Sequence, residues 1–563
     1  MMAIACLSLG SVLQADVKLP ALISDNMVLQ DNKQVPLWGM ADPGEKVTVS
    51  FAGQSVSTTA DATGKWQVNL TPLAADTVGS MTVEGRNKIS IANVLVGTVW
   101  VCSGQSNMEM RIGAANNAVA EIAKANYPKI RLFLVKKKAS IQPQTDVEGR
   151  WVECSPETLP KQGLGFSAVA YFFARDVHLA TGLPVGLIQS AWGGTRAEAW
   201  TSVSGLQKEP ELKVHADSYE KQLQNFPALK ERYIKDSSEY PAKHKAWEET
   251  NGPYLQSVKN WYVDSAKAKA EGKPFPAKPS PSNPEPTQGI DPDNNAHIPS
   301  ALFNGMIAPL IPYAIEGVLW YQGESNSGKP TEYRTLFPTL ISDWRQKWGQ
   351  GDFPFYFCQI ASFMSKQTNP VESKQAELRE AQRLALRLPN TGMAVLVDIG
   401  EAWDVHPGNK QDVGSRLARI ALAKLYGKGG RFTGPVYRSM KVEGDKIRLK
   451  FDPEGGELTA GMLPEKYPVS TRRNEYLPLA RNRAGSQLEG FAICGAERKW
   501  VWADAVIDGQ TVIVSAPEVK EPVAARYAWA DNPTCNLDNK EGLPASSFQT
   551  DDVASPPAPS IKK

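Results

Sequence analysis

Between about Val94 and Gly427 the chain alternates continuous apolar runs with amphipathic segments of helical periodicity, and this alternation constrains the fold most strongly. Apolar runs without a polar face are typical of parallel strands buried on both sides, and the intervening helices cover them. The sequence therefore predicts an α/β domain over 94–427. The expected strands are Val99–Cys102, Ile130–Val135, Val185–Gln189, Gly317–Tyr321, Phe355–Ile360 and Met393–Asp398, and the expected helices include Ser167–Leu179, Glu332–Trp348 and Ala376–Leu388.

Shorter alternating segments flank this domain on both sides. Residues 17–93 alternate inward and outward positions, as in Val47–Phe51 and Trp66–Leu70, with Gly, Asp and Asn at the turns. Several short strands at this spacing predict an N-terminal β-sandwich module. The same alternation returns after Gly427, as in Lys446–Phe451, so a second β-rich module is expected over 428–550.

A charged, helix-prone stretch followed by a proline-rich loop interrupts the α/β domain at about 208–292. The loop 274–292 holds seven prolines. Such a composition buries too little apolar surface to pack as a core, so the insertion is predicted to lie on the domain surface. Residues 551–563, rich in Pro and Ser, are predicted to be a disordered tail.

The first 15 residues carry no charged side chain and end in Leu13-Gln14-Ala15. This pattern resembles the apolar region and cleavage site of a secretory signal, which predicts a secreted or periplasmic protein; a short buried strand is the alternative. The six cysteines are scattered and form no Cys-x-x-Cys pair, so buried free thiols are expected. A Cys494–Cys535 or a Cys102–Cys154 bridge is the alternative in an oxidising compartment.

The charge balance argues against two classes of partner. The chain has 62 Lys and Arg against 60 Asp and Glu, which gives a net charge of +2. This balance supplies no electrostatic reason to bind nucleic acid or an anionic membrane. No uncharged apolar run reaches the roughly 20 residues that a membrane-spanning helix needs. No metal-ligand spacing of His or Cys is present, so neither a metal nor another cofactor is predicted.

Polar motifs follow four of the predicted strands. The first strand leads into Ser103-Gly104-Gln105-Ser106-Asn107-Met108, where Gly104 permits a tight turn. Because the carboxyl ends of parallel strands meet at one edge of the sheet, these motifs are expected to converge there. Ser106 is the candidate nucleophile, with nearby amides able to face an oxyanion. The other motifs are Ser190-Ala191-Trp192-Gly193-Gly194-Thr195-Arg196, Gln322-Gly323-Glu324-Ser325-Asn326 and Gly400-Glu401-Ala402-Trp403-Asp404-Val405-His406-Pro407.

Histidine is scarce, which narrows the choice of a general base. Of the five, only His406 follows a predicted buried strand with a carboxylate two residues away, so it is the candidate base. His178 lies in the last turn of a helix, where the macrodipole accounts for it. His215 and His244 lie in the charged insertion and are expected to be solvated, and His297 is expected in a turn.

Together the four motifs resemble the sialate O-acetylesterase family, a branch of the Ser-Gly-Asn-His hydrolases. The resemblance spans nearly the whole chain, including both β-modules. It implies a fold of the α/β class: a three-layer α/β hydrolase domain with a flavodoxin-like parallel sheet, flanked by β-sandwich-like modules. It also implies that Ser106 is the nucleophile and His406 the general base.

The resemblance further implies a set of residues around the nucleophile. Its oxyanion donors would be the Ser106 amide, one amide of the Gly193–Gly194 pair and a side-chain amide. That side chain would come from Gln322 or Asn326. The residues predicted to bind the oxyanion or the substrate are Gly193, Gly194, Gln322, Asn326, Gln105, Glu324 and Arg196.

The acid that orients the base is the point at which the chain departs from the family pattern. The wider superfamily usually carries Asp three residues before the histidine, where this chain has Trp403. Asp404 lies two residues before His406, and a turn is needed to aim the two side chains at each other. Pro407 and its neighbouring glycines suit such a turn. Asp404 is therefore the predicted third catalytic residue, with Glu401, Asp398 or a backbone carbonyl as alternatives.

The function implied by the resemblance is removal of O-acetyl groups from sialic acids through a Ser/His acyl-enzyme. Arg196 would bind the sugar carboxylate, and its alternative role is an ion pair with Glu198. Two other functions remain open: deacetylation of a polysaccharide such as xylan, and non-catalytic carbohydrate binding, against which the Ser106/His406 pair argues. The aromatic side chains near the motifs suit sugar faces or plain packing; they are Trp192, Trp320, Tyr321 and Trp403.

Overall fold

The computed structural model of the protein describes residues 16–461 and 488–551, apart from residues 162, 164, 272 and 274. The predicted signal segment and all but the first residue of the predicted tail therefore lie outside the described residues. The strands up to residue 104 are β1 (Val28–Gln30), β2 (Val35–Met40), β3 (Lys46–Phe51), β4 (Gln54–Thr59), β5 (Lys65–Leu70), β6 (Val78–Glu84) and β7 (Lys88–Gly104).

Strands and helices alternate in the central part of the chain. The strands are β8 (Tyr127–Leu134), β9 (Trp151–Cys154), β10 (Val185–Ala191), β11 (Gly317–Tyr321), β12 (Phe355–Cys358) and β13 (Thr391–Ala394). The helices are α1 (Ser106–Glu109), α2 (Ala118–Lys124), α3 (Ala168–Thr181), α4 (Val203–Leu206), α5 (Lys213–Thr250), α6 (Gly252–Glu271), α7 (Pro330–Trp348), α8 (Lys374–Leu384) and α9 (Lys410–Lys424).

The central sheet has the strand order β13-β12-β11-β7-β10-β8-β9. All neighbouring pairs are parallel except β8 and β9, which run antiparallel. The prediction of an α/β domain is confirmed, although the sheet is mixed. Helix α3 spans Ala168–Thr181, where the sequence predicts Ser167–Leu179: Ser167 accepts a hydrogen bond from the Ala170 amide, and Gly182 follows the helix with φ +77°.

The two faces of this sheet belong to two separate apolar cores. Val99 and Val101 of β7 pack in one core, which includes buried side chains of α7 and α8. Trp100 and Cys102 point the other way, into a core that contains buried side chains of α3 and α9. Because successive strand residues alternate between faces, one apolar run fills both cores.

The N-terminal strands are continuous with the central sheet. Strand β7 spans Lys88–Gly104, so the predicted domain boundary at 93/94 falls inside a single strand. Its first half pairs with β6 and β1, and its second half pairs with β10 and β11. Buried side chains of this part, such as Val49 and Trp66, join the core that also contains α7 and α8. This module and the sheet therefore share apolar packing.

The insertion forms two long helices, α5 and α6, and its residues are mostly exposed, as predicted. One expectation about it is wrong. His215 is buried, and its Nε2 lies 2.9 Å from Glu332 Oε1 at the start of α7. This histidine therefore anchors the insertion to the α/β domain.

The C-terminal module has its own apolar core, and its strands form three antiparallel sheets. The five described cysteines are free thiols. Within the described ranges no helix is long and apolar enough to cross a membrane. The strands of the module are β14 (Tyr437–Glu443), β15 (Lys446–Phe451), β16 (Leu458–Ala460), β17 (Phe491–Cys494), β18 (Trp500–Trp502), β19 (Asp504–Asp508), β20 (Thr511–Ser515), β21 (Ala524–Tyr527), β22 (Leu537–Asn539) and β23 (Phe548–Gln549).

Two carboxylates and one guanidinium interact across the boundary between the α/β domain and this module. Arg416 of α9 binds both carboxylate oxygens of Asp398 at 2.7 and 2.6 Å. Asp538 of β22 lies close enough to be affected by both charges. Its burial, and secondarily the charge of Asp398, raise its pKa to about 7, while Arg416 acts in the opposite direction. Ionised Asp538 is thus a source of strain at this boundary.

We predict that Asp538→Asn stabilises the protein in a pH-dependent way. A carboxyl whose pKa is higher in the folded state than in the unfolded state destabilises the fold once it must ionise. The gain should be absent below about pH 4, grow as pH rises and level off above about pH 7. We expect a gain of about 1–3 kcal/mol, measured as the unfolding midpoint across this pH range.

The exposed Asp504 of the same module offers a matched control. Asp504→Asn should leave the unfolding midpoint unchanged at each pH. A gain from Asp538→Asn that is equal at pH 4 and pH 8 would contradict the role assigned to its ionisation.

Candidate active site

Ser106 follows directly from the end of the central strand β7. Gly104, the last residue of β7, has φ +134°, and a Cβ at this position would lie 2.1 Å from the carbonyl oxygen of Tyr321. Only glycine fits this close approach of two backbones. The Gln105 amide then donates to the Tyr321 carbonyl at 2.9 Å, and helix α1 begins at Ser106. The partly exposed Ser106 thus lies at the carboxyl edge of the sheet.

Three of the predicted oxyanion or substrate residues are buried and bind other parts of the protein. Gln105 Oε1 accepts from the amides of Gly323 and Ser325 at 3.3 and 3.2 Å. Gln322 Nε2 donates to the Thr195 carbonyl and to Asn326 Oδ1, at 3.2 and 2.6 Å. In this structure these amides hold the strand-end loops together.

Asn326 makes the same kind of contact. Its Nδ2 donates to Glu198 Oε2 at 2.9 Å, and its Oδ1 accepts from the Ala197 amide at 3.0 Å. It therefore fixes the segment that follows the glycine pair. A side-chain oxyanion donor from Gln322 or Asn326 stays a prediction.

The glycine pair lies against Ser106. A Cβ on Gly193 would be 3.2 Å from the Cβ of Ser106. The Gly193 amide donates to Glu109 Oε2 at 2.6 Å, and the other oxygen of Glu109 lies 2.6 Å from Lys137 Nζ. Lys137 also lies over the Trp192 ring, 5.4 Å from its centroid. Glu109 thus links helix α1 to the loop that contains the glycine pair.

Asn107, the neighbour of Ser106, makes three buried hydrogen bonds to other loops. Its Nδ2 donates to Glu324 Oε1 at 2.6 Å and to the Val405 carbonyl at 2.9 Å. Its Oδ1 accepts from Lys410 Nζ at 2.8 Å. Lys410 also donates to the Pro407 carbonyl at 2.6 Å. The residues on both sides of His406 are therefore held by donors.

Two buried charges face each other across Asn107. Burial lowers the pKa of Lys410 to about 8, although Glu401, Glu324, Cys358 and Asp404 act in the opposite direction. Burial also raises the pKa of Glu324, against the Asn107 hydrogen bond and the positive charge of Lys410. Glu324 Oε2 is sealed from solvent and has no hydrogen-bond partner among the described residues.

Asp404 is the carboxylate that the structure brings to His406. Asp404 Oδ1 accepts from the His406 amide at 2.9 Å and lies 3.5 Å from the imidazole Nδ1. This contact bends the loop in the manner of an Asx turn. Both side chains remain accessible, 41% exposed for His406 and 21% for Asp404.

The two rival acids have other partners. Asp398 is bound by both nitrogens of the Arg416 fork. Glu401 Oε1 accepts from the Gly408 amide at 2.6 Å. Among the described contacts no hydrogen bond joins the Ser106 hydroxyl to His406; catalytic hydrogen bonds of hydrolases often tighten only with substrate bound.

The rim of the site carries the side chains that remain accessible to a ligand. Trp192 and Trp403 are partly exposed, whereas Trp320 and Tyr321 are fully buried and serve packing. Arg196 is 59% exposed and lies 4.0 Å from Glu198 Oε1, at the limit of an ion pair. The described residues contain no cluster of three His, Cys, Asp or Glu that could hold a metal ion.

Sequence reasoning missed the functional contacts of Asn107, Glu109, Lys137 and Lys410. One signal was available for Lys410, since a cation in the first turn of a helix opposes the macrodipole and calls for an explanation. The contacts of Glu109 and Lys137 join loops far apart in the chain. No local sequence pattern predicts these contacts.

Comparisons with known proteins agree with this geometry. The family model described as "Carbohydrate esterase, sialic acid-specific acetylesterase" matches residues 96–234 and 301–422. The sialate O-acetylesterase of Mus musculus is 28% identical over 91% of this chain and 89% of its own length. The corresponding enzyme of Homo sapiens is 28% identical over 93% and 91%.

A solved structure extends the similarity to the fold. It is a carbohydrate acetylesterase from Xanthomonas citri, 32% identical, with a TM-score of 0.73. The similarity covers 95% of this chain and 100% of that chain. All parts of the described architecture therefore have a counterpart in a carbohydrate acetylesterase.

We predict that Glu109→Ala lowers kcat for hydrolysis of a chromogenic aryl acetate by about 100-fold. The alanine variant frees the loop with the glycine pair from helix α1. A displacement of that loop by about 1 Å is expected to lower kcat by roughly 100-fold. Glu109→Gln keeps an acceptor for the Gly193 amide and should retain activity within about tenfold. Lys137→Met removes the ion pair with Glu109 and the contact with the Trp192 ring but leaves the Gly193 amide bound to Glu109, so it should behave like Glu109→Gln. Equal kcat values for Glu109→Ala and the native enzyme would contradict this role.

Proposed function

Since the chain belongs to the carbohydrate esterase family of sialic acid-specific acetylesterases, we propose that it removes O-acetyl groups from sialic acids by nucleophilic attack of Ser106. The observation that carries this proposal is the position of Asn107. It follows the serine at the carboxyl edge of the sheet and binds the carbonyl of Val405, next to His406. Nucleophile and base thus come from loops joined by one side chain.

The proposed reaction has two steps. The Ser106 hydroxyl attacks the acetyl carbonyl while His406 takes its proton, and the sugar hydroxyl leaves with that proton. A water molecule, deprotonated by His406, then attacks the acyl-enzyme. The bond between the acetyl group and the Ser106 oxygen breaks, acetate is released, and His406 returns the proton to that oxygen. The exposure of His406 gives this water access from solvent.

Asp404 is the proposed orienting acid. Its contact with Nδ1 at 3.5 Å would fix the tautomer and stabilise the imidazolium that forms in each step. Asp398 is a weaker candidate because a guanidinium binds both of its oxygens. Glu401 is a weaker candidate because its described hydrogen bond is to the Gly408 amide, whereas Asp404 has a described contact with the imidazole.

The proposed oxyanion site uses the amides of Ser106 and Gly194. The Gly193 amide donates to Glu109, so Gly194 is the member of the pair that we assign to the oxyanion. Removal of one such donor in other enzymes costs about 2.7–4 kcal/mol of transition-state stabilisation.

The exposed Arg196 favours an anionic sugar over a neutral polysaccharide. Arg196 follows the glycine pair, and among the described residues the ion-pair partner of its guanidinium is Glu198, at the long distance of 4.0 Å. A planar fork of this kind binds a carboxylate through two hydrogen bonds. Xylan deacetylation, the second candidate, would leave this cation without a role in substrate binding.

Three finer points belong to the same proposal. We assign the α/β domain to the three-layer, flavodoxin-like hydrolases, because separate cores cover the two faces of its sheet. The domain limits given by the sequence are retained, with the N-terminal module joined to the sheet through β7. Export to the periplasm or the medium rests on the pattern of residues 1–15 alone.

We predict that the native enzyme hydrolyses O-acetylated sialic acid with a higher kcat/KM than acetylated xylan. Arg196→Ala should raise KM for the sialic acid ester by about tenfold and leave an uncharged aryl acetate unaffected, because only the former has a carboxylate. Ser106→Ala should abolish turnover of every ester. Equal effects of Arg196→Ala on the sialic acid ester and on the aryl acetate would favour a neutral substrate such as acetylated xylan. Turnover by Ser106→Ala would show that Ser106 is not the nucleophile.

We also predict that Asp404→Asn lowers kcat/KM more than Glu401→Gln or Asp398→Asn. An amide at position 404 can present an N–H to the imidazole and favour the wrong tautomer, which costs up to about 10⁴-fold in related triads. All three variants should be compared on the aryl acetate at pH 7. Near-native turnover by Asp404→Asn would mean that another group orients His406.

A further inference from the structure

Lys410 is a buried cation that the proposed reaction does not use. It is fully buried, at 0% exposure, in the first turn of α9. Two effects oppose this placement. Taking an ammonium out of water costs several kcal/mol, and a positive charge at a helix N-terminus opposes the macrodipole. The stability of α9 therefore does not explain why a lysine occupies this position. The explanation must lie in the specific contacts of Lys410.

These contacts join the two reacting segments. Lys410 Nζ donates to Asn107 Oδ1 at 2.8 Å, and Asn107 is the neighbour of Ser106. It also donates to the carbonyl of Pro407, the neighbour of His406, at 2.6 Å. A third contact is with the face of Tyr321 at the end of β11, 5.7 Å from Nζ.

We propose that Lys410 is a positioning residue, whose ammonium sets the distance between the Ser106 helix and the His406 loop. This inference rests on the proposed function. Asn107 holds the carbonyl before His406, and Lys410 holds the carbonyl after it. The histidine backbone is thus fixed on both sides, while its imidazole stays accessible. Lys410 itself is sealed behind these groups, so it does not touch substrate.

The charge of Lys410 matters as well as its hydrogen bonds. The titratable groups that face it are Glu401 and Asp404 from its own loop, Glu324 and Tyr321 from β11 and the turn after it, and Cys358 from β12. A neutral amine is a weaker donor and leaves these carboxylates without their buried counter-charge. Because burial lowers the pKa of Lys410 to about 8, its proton is lost as pH rises through this value.

The test compares Lys410→Met with Lys424→Met in the full-length enzyme. Lys424 lies on the same helix, at its other end, where Nζ donates to the Thr391 carbonyl at 3.1 Å. Lys410→Met should lower kcat for the aryl acetate at least about 100-fold with KM changed less than about threefold, as expected for misplaced reacting groups. Lys424→Met should change neither constant.

The pH profile separates positioning from a purely structural role. The native kcat/KM should fall as pH rises above about 8, and Lys410→Met should lack this alkaline limb. Should Lys410→Met unfold because Glu324 is left buried without its counter-charge, Lys410→Met/Glu324→Gln should restore the unfolding midpoint without restoring kcat.

The outcomes are distinguishable. A native enzyme without esterase activity overturns the proposed function. If the native enzyme is active but its kcat/KM does not fall between about pH 7 and 9, the proposed role of Lys410 is wrong, whatever the variants show. The role is also overturned if a folded variant without Lys410 keeps kcat within about tenfold of the native value.

Discussion

The arrangement of the site depends on the buried side-chain amide of Asn107. An amide has two N–H donors and one carbonyl acceptor that define its orientation, and here Glu324, the Val405 carbonyl and Lys410 engage all of them. These partners are 217 to 303 residues away in the chain. Removal of one charged partner leaves the other buried without compensation, which is strongly destabilising. The segments that carry Glu324, Val405 and Lys410 are therefore all held by the same side chain, and a change in one contact affects the others.

This amide can take its place only because the sheet brings the loops to one edge. Strand β7 leads into Ser106 and Asn107 at the start of α1, and β11 beside it leads into the turn with Glu324. The close approach of Gly104 to Tyr321 sets the point at which these two strands separate. The same strand β7 begins in the N-terminal module, so packing of that module against the shared core also supports the position of Ser106.

The sequence predicts the framework well, because the framework follows local rules. The run Gly317–Tyr321 is a strand with the predicted bounds, and α3 begins one residue after the predicted start at Ser167 and ends two residues after the predicted end at Leu179. The sequence does not reveal what each motif residue binds. Gln105 and Gln322 look like ligand-binding amides, yet both bind loops of the protein. Such partners come from distant segments, so they are a property of the assembled sheet edge.

The site is divided into a sealed half and an open half, and this division separates the residues that hold the loops together from those that a ligand can reach. Asn107, Glu324 and Lys410 form the sealed half, where every change disturbs a shared network. Arg196 and Trp192 lie on the accessible rim, where a side chain can change at little cost to the fold. Sialic acid differs from a xylan residue in bearing a carboxylate, and the rim is where a carboxylate would meet Arg196. Specificity in such an enzyme can therefore change at the rim while the buried network that positions Ser106 and His406 is retained.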